Sequence, residues 1–317
     1  MGRSVTAAVL PERETLIAPG SARWRELMTG SKVAAALGLH PTRSSRAVWH
    51  EMRGDVPPDP TEQIMEDGHH LEPAIAAMWL DRNPGARLVR GEHTVARADM
   101  PWAAANPDGL AELPDGRRIY VEYKTDRDGL NKYGDAWTDQ VPVNYLVQCL
   151  WQMLLGDCDE TWLVVLGGRN LDLTPYRIEF DAETGRALAA KAYEFWESLH
   201  LGTPLAELTP PALSEDVCEL PMLRKLHPDI DPDLEVELDQ QLAFDHLEAL
   251  AALKAAEKRA DHTKARVLDA MGRARLATWN ALTVARRQPN SHGGVSLYAP
   301  RKTPIIPNPT KKENTTS

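Results

Sequence analysis

The stretch NPDGLAELPDGRRIYVEYKT, residues 106–125, sets the reading of the rest of the chain. It is expected to hold Asp108 in a tight Pro-Asp-Gly turn, with a second turn at Pro114-Asp115-Gly116. The run Arg118 to Lys124 then reads as a core β-strand, because Ile119, Val121 and Tyr123 give an apolar face at period two. Glu122 and Lys124 share the opposite face at the i, i+2 spacing, roughly 6–7 Å apart. One reading is a partly exposed edge strand with a surface ion pair of little energetic weight. The other is chemical. A hairpin partner beginning near Asp108 brings a second carboxylate alongside, and two carboxylates plus a lysine suit a hard cation. In that reading Asp108 and Glu122 hold Mg²⁺ or Mn²⁺ with the Tyr123 carbonyl as a neutral ligand. Lys124 then orients or deprotonates a water, or neutralises a phosphate under attack. The Asp-x13-Glu-x-Lys pattern alone is weak, since carboxylates and lysines are abundant.

The flanking segments decide what surrounds this strand. Upstream, MTGSKVAAALGLHP reads as a helix capped by Thr29 or Ser31 and stopped by Gly38 and Pro41. SSRAVWHEMRG is a second, ended by Gly54, and a longer amphipathic helix is expected from Thr61 to Asp81. ARLVRGEHTVA reads as a strand or hairpin, and PWAAANPDGLAEL as a strand, before the one already described. Downstream come a helix beginning after Pro142, strands in TWLVVLGG and TPYRIEF, and the helix AETGRALAAKAYEFWESLHLG. Helices, three strands, helix, two strands, helix make an α/β core: a mixed central sheet flanked by helices. Beyond it, Leu234 to Met271 is a long Ala-, Leu-, Glu- and Lys-rich helical stretch without a strict heptad. ATWNALTVARR and GGVSLYAP suggest a closing hairpin. The expected organisation is an arm over 1–21, the α/β core over 22–215, a helical extension with that hairpin over 216–300, and a disordered tail over 301–317.

Composition excludes several classes. At 43% hydrophobic and 26% charged residues the chain is ordinary globular material. No apolar run reaches bilayer length and the polar start is no signal peptide, so no membrane partner and a cytoplasmic setting are expected. Cys149, Cys158 and Cys218 are too few and too scattered for a disulfide framework, a zinc site or a four-cysteine iron–sulfur cluster. Adjacent His69 and His70 diverge on a helix and find no third ligand, so zinc is rejected. No Gly-rich lysine loop is present, so the chain by itself is no helicase. The net charge of −10 does not advertise a nucleic-acid binder, although a local basic groove can serve one.

Taken in order, TGSKVAAALGLHP, EDGHHLEPAIAAMW, ANPDGL, VEYKT and YLVQCLWQMLLGD resemble the YqaJ-like phage recombinase nucleases, relatives of lambda exonuclease in the PD-(D/E)XK superfamily. The likeness covers about Ala22 to Leu201. It implies that Glu72 is a helix-borne metal ligand, that Asp108 and Glu122 bind metal, that Lys124 assists the attacking water, and that Gln148 stabilises the centre. It implies a 5′-phosphate contact by Ser31 with Arg23 or Arg25. Leu150 stands where lambda exonuclease has a second glutamine. Each residue also has a plain reading: Ser31 as an N-cap, Glu72 as a helix-surface charge, Gln148 satisfying buried backbone, and the nine tryptophans as core and rim.

The resemblance implies a metal-dependent exonuclease that degrades linear duplex DNA from an end, 5′ to 3′, in phage-type recombination inside a bacterial host. A single-strand annealing protein is the expected partner, with a homo-oligomer as a further expectation. The alternatives are a related endonuclease, a RecB-like end processor, or a non-catalytic recombination protein that assembles through its C-terminal helix.

Overall fold

The computed structural model describes residues 16–57, 63–127, 130–290 and 294–299. They divide into two compact units, residues 1–230 and 231–317. The first begins with α1 (Ala22–Glu26), α2 (Gly30–Ala36), α3 (Ser45–Arg53) and α4 (Gln63–Arg82). Then come β1 (Arg87–Arg90), β2 (Gly109–Glu112), β3 (Arg118–Asp126), α5 (Val143–Leu155), β4 (Glu160–Gly167), β5 (Asp172–Glu179) and α6 (Ala182–Ser198). A one-turn 3₁₀ segment, Leu205–Glu207, and α7 (Leu220–Leu226) follow. The element order expected for the core is the order observed. The small α1 and α7, and the 3₁₀ turn, lack a periodic apolar signal and were not anticipated.

The five strands form one sheet in the order β1-β2-β3-β4-β5, antiparallel except for the parallel pair β3–β4. That parallel step requires a crossover, which α5 supplies. β3 is therefore the middle strand, and the edge-strand reading of residues 118–126 is overturned. β4, covered on both faces, is buried along its whole length. Tyr120 packs with Leu163, Tyr176 and Ile178 on one face of the sheet, beneath Val147 and Trp151 of α5 and the helices α2, α3 and α6. Ile119, Val121 and Tyr123 pack with Trp162 and Val164 on the other, against Ile75 and Trp79 of α4.

Local chemistry ends the elements where it was expected to. Gly54 closes α3 in the left-handed region (φ 79°), and Pro142 stands at the N-cap of α5. Two strands are shorter than expected. β1 stops at Arg90, with Val95 making an isolated bridge to Ala105, and residues 101–108 stay outside the ladder apart from bridges at Ala103 and Ala105. α4 runs to Arg82, and Thr61, its expected start, lies outside the described residues.

The second unit holds α8 (Gln240–Met271) and the strands β6 (Leu276–Trp279), β7 (Leu282–Pro289) and β8 (Val295–Tyr298). The helix begins at Gln240 instead of Leu234 because the Asp239 carboxylate caps it, accepting from the Gln241 and Leu242 amides. The expected closing hairpin is a three-stranded antiparallel sheet. ATWNALTVARR is itself the β6–β7 hairpin, turning at Asn280 and Ala281 with φ of 46° and 65°. Residues 301–317 lie outside the described residues. Among the described residues no helix is long and apolar enough to cross a membrane.

Candidate active site

The period-two alternation of β3 turns its odd residues toward α4 and its even residues toward α5. Glu122 and Lys124 thus lie under a helix, and Glu122 is 1% exposed. A carboxylate so enclosed needs donors for its lone pairs. It has three. Oε1 accepts from Lys124 Nζ and from Gln148 Nε2, both at 2.5 Å, and Oε2 accepts from Gln152 Nε2 at 2.6 Å. Gln148 and Gln152 are one turn apart on α5, so both reach the same strand face. Lys124 Nζ also lies 5.6 Å from the centre of the Tyr145 ring, another α5 residue, at cation–π range.

Asp108 enters from the neighbouring strand. The antiparallel register pairs Gly109 with Val121, so Asp108 sits beside the Glu122–Tyr123 peptide. Its Oδ2 accepts from the Tyr123 amide at 2.7 Å. The residue occupies a bend that opens β2, not the tight turn expected from Pro-Asp-Gly. Gly109 allows the close approach: a β-carbon there would stand 2.8 Å from Val121 Cγ2. Burial, and then the Glu122 charge, push the Asp108 carboxyl well above the usual carboxylate range. Burial pulls the Lys124 ammonium down, but Glu122 and Asp108 outweigh it and hold the pKa above its ordinary value.

Glu72, on α4, belongs to the same electrostatic neighbourhood. Burial raises its pKa, its hydrogen bond to His69 lowers it, and Lys124 and Glu122 both act on it. Its direct partner is His69 Nδ1 at 2.9 Å, not a member of the trio on β2 and β3. Among the described residues, no three His, Cys, Asp or Glu side chains are gathered as a ready-made metal site. The donor set nonetheless fits a hard cation. Every candidate is oxygen, Glu122 Oε2 and Asp108 Oδ2 each accept a single hydrogen bond, and the repulsion that raises Asp108 is what a cation relieves. Gln152 Oε1, buried nearby, has no hydrogen-bond partner.

The structure therefore brings Asp108, Glu122, Lys124 and Gln148 together, with Glu72 within electrostatic reach. Gln152 was missed as a site residue, although its i+4 spacing from Gln148 was visible in the sequence. It supplies the second glutamine; Leu150, between the two, is buried in the apolar cluster. The expected phosphate contacts are arranged differently. Thr29, not Ser31, is the N-cap of α2, and its side chain makes no capping bond. Ser31 is exposed in the first turn, 3.4 Å from the Thr29 hydroxyl. Arg23 donates to the Pro101 carbonyl and lies 3.9 Å from Glu26. Arg25 gives its carbonyl to Lys32, whose buried ammonium also reaches the carbonyls of Trp24 and Leu27. The first turn of α2 closes directly on α5, since a β-carbon at Gly30 would lie 3.1 Å from Gln148 Cγ.

A five-stranded mixed sheet between helices, with an Asp at the head of one strand and Glu-x-Lys on the next, defines a PD-(D/E)XK nuclease-like domain. Residues 21–159 match the family model of the YqaJ-like viral recombinase domain. No curated protein matches the chain. Among solved structures, an alkaline exonuclease from Laribacter hongkongensis is 18% identical with a TM-score of 0.43, over 55% of this chain and 88% of its own. A phage-related exonuclease from Haemophilus somnus 129PT is 14% identical with a TM-score of 0.42, over 55% of this chain and 95% of its own.

Proposed function

We propose that the chain is a Mg²⁺- or Mn²⁺-dependent deoxyribonuclease that hydrolyses phosphodiester bonds of linear duplex DNA from an end, 5′ to 3′. The observation that carries this reading is the grip on Glu122. Two glutamines and a lysine fix one buried carboxylate beside a second, and no packing requirement calls for that expense of buried polarity. Glu72, Asp108, Glu122 and the Tyr123 carbonyl would hold the metal. When bound, it supplies Lewis-acid polarisation of the phosphate and a more acidic water.

The residues of the chain divide the remaining work. Gln148 and Gln152 fix the rotamer of Glu122, so that its free lone pair keeps one direction. Asp108 is fixed by the Tyr123 amide. Lys124, bonded to Glu122 and backed by Tyr145, holds its positive charge near the attacked phosphate and orients the water. Ser31 with Arg23 or Arg25 is assigned to the terminal 5′-phosphate. Exposing single strands for an annealing protein, as part of phage-type recombination, is the role this activity suits.

Digestion of linear and closed circular duplex, each with Mg²⁺ and with EDTA, tests the proposal. Linear DNA should be degraded only with Mg²⁺, and faster with a 5′-phosphate than with a 5′-hydroxyl. Nicking of closed circles at the same rate would replace the end-directed reading with an endonuclease. No hydrolysis under any divalent cation would remove the enzymatic reading.

A further inference from the structure

α8 runs for 32 residues, about 48 Å of helix, and among the described residues Met271 at its end is the only one it buries. Leu242, Phe244, Leu247, Leu250 and Leu253 are each between 49% and 60% exposed. Helical stability in proteins comes mostly from packing an apolar face, so a surface that covers these side chains stabilises the helix.

The order of residues along one stripe says what covers it. From Leu242 to Val267 the stripe advances by alternating steps of four and three, the spacing of a helix–helix seam. Leu242, Ala249, Leu253, Ala256, Ala260 and Val267 are its apolar members, and His246 and Thr263 interrupt it. His246 lies four residues from one end of the stripe and Thr263 four from the other. Laid antiparallel on a second copy, the two interruptions therefore meet each other. In that register Leu253 faces Ala256 and Leu242 faces Val267, so larger side chains fill the space beside smaller ones. A parallel pair would set His246 on His246 and alanine on alanine.

Charge reverses along the helix in the same way. Residues 240–253 carry two acids, Asp245 and Glu248, and no Lys or Arg, which gives −2. Residues 254–271 carry five Lys and Arg against three acids, which gives +2. Antiparallel pairing sets each half against its opposite, and the register that joins His246 to Thr263 brings Asp245 beside Arg266 at the edge of the seam. DNA would instead meet Asp245 and Glu248 along the most apolar part of the helix.

We propose that α8 pairs antiparallel with α8 of a second copy of this chain, with Leu253 against the partner's Ala256 at the centre and Asp245 against the partner's Arg266 at the flank. The pairing stands independently of the nuclease reading.

Sedimentation equilibrium of the full chain tests it. Wild type should be a dimer that Leu253→Lys converts to a monomer. Asp245→Lys and Arg266→Asp should each weaken dimerisation about three- to tenfold, and the two together should restore it, since the exchanged pair attracts again. In a Cys218→Ser background, Leu242→Cys combined with Val267→Cys should give a disulfide-linked dimer on mild oxidation, and neither cysteine alone should. A wild type that stays monomeric up to its solubility limit overturns the proposal, and so does a dimer that Leu253→Lys leaves intact. No recovery in the charge-exchanged double variant, or cross-linking by Leu242→Cys alone as fast as by the pair, overturns it as well.

Discussion

Gln152 Nε2 donates to Glu122 Oε2 at 2.6 Å, joining the crossover helix to the middle strand of the sheet at a carboxylate that is 1% exposed. Without it, one oxygen of a buried anion loses its only protein donor. Gln152→Leu should therefore cost about 1–3 kcal/mol of stability. It should also lower hydrolysis about 10- to 100-fold, as the loss of an orienting partner does at metal centres. Thermal unfolding and initial rates over a Mg²⁺ titration check both. An unchanged Mg²⁺ midpoint would show that Gln152 supports the fold alone.

Gly30 tests the same carboxylate from farther away. Its backbone accepts alanine, but the new methyl would meet Gln148 Cγ at 3.1 Å. Gly30→Ala should leave unfolding within about 1 kcal/mol, because helix propensity gains roughly what contact costs. The cleavage rate should nevertheless fall several-fold as Gln148 shifts from Glu122. Equal losses in Gly30→Ala and Gly30→Ser, with a restored rate in neither, fit this account; full activity in both removes it.

Lys124→Ala should reduce hydrolysis by at least about 100-fold, the range of a positioned proton-handling group. Duplex binding should persist, since backbone neutralisation by other basic residues dominates affinity. Cleavage and binding assays run in parallel separate the two. Near-normal cleavage would exclude Lys124 from the mechanism.

Asp108 carries a penalty in the metal-free protein, because burial and the Glu122 charge both disfavour its ionised form. Asp108→Asn keeps an acceptor for the Tyr123 amide and removes that penalty. The metal-free variant should melt higher than wild type, while the Mg²⁺-induced rise expected of wild type should disappear. Glu72→Ala should shrink that rise as well. An undiminished rise in Glu72→Ala would exclude the helix-borne ligand.

Lys32 gives a pH signature distinct from the site. Burial, with Arg43 beside it, lowers its pKa from 10.5 to about 7. Between those values the unfolded chain binds the proton and the folded chain releases it, so stability rises with pH from about 7 toward 10.5 and falls as pH drops back. Chemical denaturation of wild type minus Lys32→Met should show this slope. A flat difference would mean that the carbonyls of Trp24, Arg25 and Leu27 keep the ammonium charged throughout.

Much of this was readable in the chain. The alternation at Ile119, Val121 and Tyr123, the Pro142 and Gly54 boundaries, and the order of strands and helices follow from local propensity and period, which act over a few residues. Asp108 beside Glu122 was readable too, since a hairpin register follows from its connection. The length of β1 and the bend at Asp108 were not, because a strand extends only as far as a partner offers hydrogen bonds.

What the sequence by itself determined is therefore the list of elements and the sidedness of each. The tertiary structure alone decided that β3 lies in the middle of its sheet, and this converts Glu122 from a surface charge into a buried anion. It alone brought Gln152 onto that anion, because a side chain's partner across 30 residues depends on how α5 crosses the sheet. In the second unit, sequence gave strands with aromatic and basic residues. The register passes over Val284 of β7, and that decided which face receives Leu282, since one extra residue in a period of two reverses every side chain beyond it.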